Sequence, residues 1–329
     1  MTLIDLKGAA RPLWTLIAIA GALSIGTSLT TGLGFAPSQL LGLGLFVGAM
    51  LTLSAAYRRR DERIARLARA AVELFLFSFF CGAISYAAAS LDRPLWDATL
   101  HSWDGAIGFD WHYWLGVRDR RPVVHAVLLV AYLSLLPQWC LAIALLSAAR
   151  AWRSLDMFLL AFGLSGLFTV AIATYMPALS PLVHLGIVPA DHPNIMLAVS
   201  NEFAEHTLAL RDGTMRMVDL KDATGLVTFP SFHTVGAILL MAAYWPLPKW
   251  RWPGLALNAV MLAAIPIEGS HYIVDVIAGI GIALVCLAVA ARVASETDEQ
   301  VAGTGSRSEI VGQAGPPLHP SAAPSNPIG

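Results

Sequence analysis

Several stretches of this chain run for about 18 residues or more with almost no charged side chain, long enough for a helix to cross a hydrocarbon core about 30 Å thick. That feature constrains the fold more than length does, because 329 residues would otherwise suit two soluble domains of about 150 residues each. Composition agrees: 57% of the residues are hydrophobic and 13% are charged, against roughly 25% charged in a typical soluble domain. The expected fold class is all-α, a polytopic membrane helical bundle. A net charge of −1, with Lys and Arg in short clusters between apolar runs, offers no basic face to nucleic acid. Cys81, Cys140 and Cys286 all fall inside apolar runs and read as small buried hydrophobes, not as a disulfide framework or a metal site.

Hydropathy places eight transmembrane spans near 13–35, 38–57, 70–90, 123–148, 155–176, 229–247, 253–268 and 272–293. Lys7 and Arg11 before the first run resemble the start of a signal peptide, but no small-x-small cleavage site follows, so a retained helix is expected. Most of the 21 Lys and Arg residues fall in the N-terminus, 58–69, 149–154, 248–252 and the C-terminal tail, which puts both termini in the cytoplasm. The connections 91–122 and 177–228, with most of the acids, then lie outside. The short loops suggest a bacterial inner (cell) membrane. Arg58 to Arg69 read as a topology determinant, and Glu73 is expected to snorkel towards Arg69. Residues 294–329, rich in Gly, Pro, Ser and Ala, read as a disordered cytoplasmic tail.

Two short segments bring ionisable groups to helix mouths, where an apolar bundle has little reason to place them. One is Phe229-Pro230-Ser231-Phe232-His233-Thr234, with Pro230 suited to a helical first turn; the other is Gly269-Ser270-His271-Tyr272-Ile273-Val274-Asp275. From 230 to 247 a helix rises about 27 Å, and from 253 to 268 another returns about 24 Å, so His233 and His271 meet at the same, outer face. His271 and Asp275 are four apart, one turn on one helical side. This suits phosphoryl transfer through a phosphohistidine: His271 as nucleophile, Asp275 as the carboxylate that fixes its tautomer, and His233 as general acid and then base. The free amides at the start of the sixth span make a phosphate cradle. Ser231 stands at that start.

The Pro-Ser-Phe-His and His-Tyr-x-x-Asp segments resemble the second and third signature motifs of the type 2 phosphatidic acid phosphatase superfamily. The resemblance covers residues 70–293 and implies a six-helix catalytic core acting on lipid or isoprenoid phosphates without metal or other cofactor. Residues 1–69 are then an addition of two helices and a basic loop. The family's first motif is missing, since Arg121-Pro122 has Trp114 where a Lys should stand, and Ile265 occupies the place of the Arg before the third motif. Both losses, and the segment Pro177-Ala178-Leu179-Ser180-Pro181, are similar to the branch of inositol phosphorylceramide and sphingomyelin synthases. That branch implies an inositolphosphotransferase-like enzyme moving a phospho-headgroup from a phospholipid to a lipid alcohol. With water as acceptor the same chemistry gives a phosphatase of phosphatidic acid, phosphatidylglycerophosphate or isoprenoid (pyro)phosphate. A non-catalytic membrane carrier or scaffold is the third reading.

With the family's cations missing, developing phosphate charge needs other donors. Arg211 and Arg216 are the preferred candidates, with Ser231, ahead of Lys221, Arg118, Arg120 and Arg121. Glu268 reads as an exposed loop carboxylate, and His184, His192 and His206 as surface histidines. Trp96, Trp103, Trp111 and Trp114, among Asp97, Asp104 and Asp110, read as an interfacial aromatic belt.

Overall fold

The computed structural model describes residues 10–188, 191–192, 194–195, 202–219 and 225–313. Among the described residues the regular elements are helices and one two-residue parallel pairing. Every expected span falls on a helix: α1 (Ala10–Thr31), α2 (Pro37–Tyr57), α3 (Glu62–Ala89), the pair α6 (Pro122–Leu133) and α7 (Leu135–Ala148), α8 (Trp152–Tyr175), α11 (Phe232–Tyr244), α12 (Arg251–Glu268) and α13 (Ile273–Gln313). Among the described residues, five of these, α1, α2, α3, α8 and α13, are long and apolar enough to cross a membrane, and a sixth if α6 and α7 count as one span. The expected count of eight is therefore not reached by that measure. α11 has 13 residues and rises only about 20 Å, and α12 carries Arg251, Asn258 and Glu268.

The fourth expected span is not straight. It bends by 50° at Ser134, three residues before Pro137, which has no amide proton for the Leu133 carbonyl and whose ring crowds it. Elsewhere helices start where the sequence supplies caps. Asp61 accepts from Arg63 N (2.9 Å) at α3, and Asp110 accepts from Tyr113 N (3.0 Å) at α5 (Trp111–Asp119). α13 continues through Gln313, into the segment expected to be disordered.

The main core gathers side chains of α1, α3, α7, α8, α11 and α13, among them Leu13, Phe77, Trp139, Phe162, Leu239 and Cys286. A Cβ on Gly166 would stand 2.7 Å from the Phe77 ring, so α3 and α8 approach closely there. Cys81 and Cys286 are buried as expected, but Cys140 is exposed, on the outward side of α7. Glu73 does not snorkel: it is buried in this core and accepts from Arg69 Nε at 2.9 Å.

The connections at the other end of the bundle are structured. Residues 91–122 form α4 (Asp97–Ala106) and α5, and 177–228 include α9 (Pro181–His184), α10 (Glu202–Asp212) and strand β2 (Met217–Val218), which pairs with β1 (Gly34–Phe35) after α1. These pieces pack over the end of the bundle from which α11 and α13 start.

Candidate active site

α11 begins one residue after Ser231, whose hydroxyl accepts from Thr234 N (3.4 Å) as the N-cap. Pro230, joined to Phe229 by a cis peptide bond, precedes the helix instead of opening it. His233 is thus in the first turn. Its ring stacks on Tyr132 of α6, with centroids 4.1 Å apart and planes 8° from parallel, and the Tyr132 hydroxyl lies 3.4 Å from His233 Nδ1.

α12 ends at Glu268. Ser270, at φ +50°, turns the chain so that His271 N donates to Pro266 O (2.9 Å) and α13 starts at Ile273. Within that turn His271 Nδ1 lies 3.1 Å from Asp275 Oδ2, which also accepts from Tyr272 N at 2.9 Å. With the carboxylate ionised, Nδ1 carries the proton and Nε2 keeps a free lone pair. Asp275 is fully buried, and its Oδ1 has no hydrogen-bond partner among the described residues.

The two segments are locked together through the backbone, since Ser231 N donates to Asp275 O (3.2 Å). Gly279 permits this: a Cβ there would stand 2.7 Å from Ser231 O. His233 and His271 consequently line one cavity of about 670 Å³, together with Ser180, Thr228, Gly269 and Ser270 at the same end.

The connection 91–122 supports this turn from outside. Asp104 accepts from Ile273 N (2.9 Å) and Val274 N (3.0 Å), satisfying the first amides of α13. Asp97 accepts from Leu179 N (2.9 Å), Ser180 N (3.0 Å) and the Tyr272 hydroxyl (3.0 Å). Trp111 Nε1 donates to His271 O at 3.3 Å. Trp111 is buried, so it is no part of an interfacial belt, whereas Trp103 and Trp114 are exposed. Burial pushes the Asp104 carboxyl above its ordinary range, against the two amides that favour its charge. Sequence reasoning missed these supports; the available signal was two carboxylates in a tryptophan-rich connection.

The expected phosphate-binding residues are elsewhere. Arg211 is paired with Asp92 (2.6 Å) and donates to Arg93 O (2.7 Å), and Arg216 donates to Leu210 O (3.1 Å). Both are used in holding the connections 91–122 and 177–228 and neither lines the cavity. The Ser231 hydroxyl is used as a helix cap and is fully buried. Arg118 donates to Ala263 O on α12 (2.8 Å), Arg120 and Arg121 flank the start of α6, and Lys221 lies outside the described residues. Among the described residues no Lys or Arg lines the cavity.

Glu268 is not an exposed carboxylate. It is fully buried, with Oε1 3.0 Å from Nδ1 of the buried His125, because the turn after α12 folds inward against α6. The ring of His184 faces that of His101 at 5.6 Å, and His192 Nδ1 lies 3.7 Å from Asp119. Those two and His206, half-buried on α10, do not line the cavity. Among the described residues, no three His, Cys, Asp or Glu side chains gather as a metal-holding group.

The sequence matches the PAP2 superfamily over residues 98–289, more than half of the chain, from α4 into α13. No curated protein and no solved structure matches it.

Proposed function

From the premise that this chain belongs to the PAP2 superfamily, we propose that it moves a phospho-headgroup from a phospholipid to a lipid alcohol through a phosphohistidine on His271. Membership alone makes it a phosphatase- or phosphotransferase-type enzyme acting on a lipid phosphate, and its apolar helices make it an integral membrane protein. The observation that carries the finer reading is that His233 and His271 share one cavity wall, with His271 Nδ1 held by Asp275.

In the first half-reaction His271 Nε2 attacks phosphorus and the bond to the leaving lipid oxygen breaks. His233, protonated, gives that oxygen its proton. Asp275 lies against the cationic phosphoimidazole as it forms. In the second half-reaction His233 takes the proton of the acceptor hydroxyl, whose oxygen attacks phosphorus as the N–P bond breaks. Each bond-making and proton-transfer step is carried by a side chain. The charge on phosphorus is met by the first-turn amides of α11 and by the hydroxyls of Ser180 and Ser270. Each of these oxygens already accepts from a backbone amide, Val183 N and Leu182 N respectively, so its own proton is available to donate.

A lipid acceptor is favoured over water because the cavity continues inward past Phe77, Trp139 and Phe162, leaving room for a chain beside the histidines. An inositol-phosphate-like headgroup agrees with the branch that the two motif losses resemble. The basic segment 58–69 lies at the opposite end of the bundle from the site, where Arg66 pairs with Asp156 and Arg153 reaches Ser295 far along α13, which favours cytoplasmic termini and an extracytoplasmic site.

The test is purified protein in mixed micelles with labelled phospholipid, with and without ceramide or diacylglycerol. Headgroup transfer to the acceptor is expected. Free phosphate as the only product would make the enzyme a phosphatase, and binding without turnover a carrier. His271→Ala should abolish both turnover and trapping of acid-labile phosphate on the protein; retained turnover refutes the nucleophile.

A further inference from the structure

A carboxylate orients His271, but none orients His233. Among the described residues no carboxylate or carbonyl hydrogen-bonds to the His233 ring, whose one polar partner is the Tyr132 hydroxyl, 3.4 Å from Nδ1. A general acid delivers its proton along one line and so needs a fixed ring plane. Another feature of the fold has to set it.

Tyr132 offers a ring face more than an acceptor. The two rings lie 8° from parallel with centroids 4.1 Å apart, so the hydroxyl contact runs across the stack. The proton or lone pair of Nδ1 lies in the imidazole plane instead, and 3.4 Å is long for a bond to a hydroxyl. The tyrosine is itself held firmly. It is buried with Leu128, Ala264, Ile265 and Val276, and a Cβ on Gly269 would stand 2.7 Å from Tyr132 Cε2 and 2.9 Å from His271 Cδ2. One ring thus stacks on His233 and meets the turn that carries His271. The negative face of an aromatic ring attracts a cation within about 6 Å of its centre, most strongly where water is excluded.

We propose that Tyr132 is a positioning residue for His233: its ring fixes the imidazole plane, and its face stabilises the imidazolium that protonates the leaving oxygen. The proposal rests on the phosphotransfer reading above. In that step His271 Nε2 bonds to phosphorus, the bond from phosphorus to the lipid oxygen breaks with its electron pair going to oxygen, and that oxygen takes the His233 proton. A 4-nitrophenolate leaves as a stable anion and needs no such proton.

The experiment measures leaving-group release in a single turnover for two pairs of donors in mixed micelles: phosphatidylinositol with 4-nitrophenyl inositol phosphate, and phosphatidic acid with 4-nitrophenyl phosphate. Tyr132→Leu should slow release of diacylglycerol about 10- to 100-fold and release of 4-nitrophenol less than about threefold. Tyr132→Phe keeps the face and should stay within about threefold of the parent on both donors. Its 3,4,5-trifluoro analogue keeps the shape but drains the negative face, and should be slower than Tyr132→Phe on the lipid donor alone. Equal slowing of both donors in Tyr132→Leu, Tyr132→Phe as impaired as Tyr132→Leu, or equal rates for the two phenylalanines overturns the proposal. His233→Gln, run alongside, separates the failures. A donor split in His233→Gln without one in the Tyr132 variants leaves the acid standing without its platform. No split in His233→Gln, or no release from either pair by the parent, overturns the acid assignment and this proposal with it.

Discussion

Asp275→Asn isolates charge from shape at the centre of the site. Asp275 Oδ2 accepts both from Tyr272 N at 2.9 Å and from His271 Nδ1 at 3.1 Å, and an amide oxygen can keep both contacts. What is lost is the negative charge beside the imidazole that the proposed mechanism makes cationic on phosphorylation. At an effective dielectric of about 20, unit charges 3.1 Å apart interact by about 5 kcal/mol. A nucleophilic imidazole starts neutral and gains little from that charge, so most of the loss falls on the transition state. The variant should therefore form phosphoenzyme about 10³- to 10⁴-fold more slowly, with its melting temperature close to that of the parent. Single-turnover quench with labelled phospholipid measures the rate directly. A loss smaller than about tenfold would refute the assignment of Asp275 as the carboxylate that stabilises the cation.

The turnover rate should show a bell-shaped pH dependence; a flat profile between about pH 5 and 9 contradicts the paired acid–base roles. Asp104→Ala leaves Ile273 N and Val274 N without their acceptor, at about 1–3 kcal/mol each, and should lower both the melting temperature and kcat; unchanged kcat would show that the α13 cap does not position His271. Because burial raises the Asp104 carboxyl above its ordinary 3.8, the proton-linked part of its contribution to stability is fullest below that value and is lost as pH rises through the raised one, while its bonds to the two amides remain. Asp104→Asn should remove this slope, and identical pH–stability curves for the two proteins would count against it. Gly279→Ala forces α11 away from α13 at the 2.7 Å approach to Ser231 O, with an expected stability loss of about 1–3 kcal/mol and loss of turnover; a variant as active as the parent would show that the contact between the two segments is not needed.

Much of the scaffold is legible locally. Apolar run length locates the helices, and four-residue spacing puts His271 beside Asp275 because both lie in the same turn. The bend at Ser134 was also legible, in Pro137, but a hydropathy window averages over a single missing hydrogen bond. Arg211 and Arg216 misled because closeness in sequence to α11 suggested closeness to the phosphate. The chain between them and Phe229 is long enough to hold both away from the histidines, where Asp92 and backbone carbonyls satisfy them.

By itself, then, the sequence determined that the chain is a membrane helix bundle and that His271 and Asp275 share one turn at a helix mouth, since hydropathy and helical spacing are properties of contiguous residues. Tertiary structure alone decided what surrounds them. Asp97, Asp104 and Trp111 reach the His271 turn across 160 residues or more, Glu268 turns inward to His125, and the cavity beyond His233 is lined by Leu135, Leu136 and Trp139, which follow the bend between α6 and α7. No local pattern encodes these, because each depends on which distant backbone amides or rings are left unsatisfied once the helices have packed.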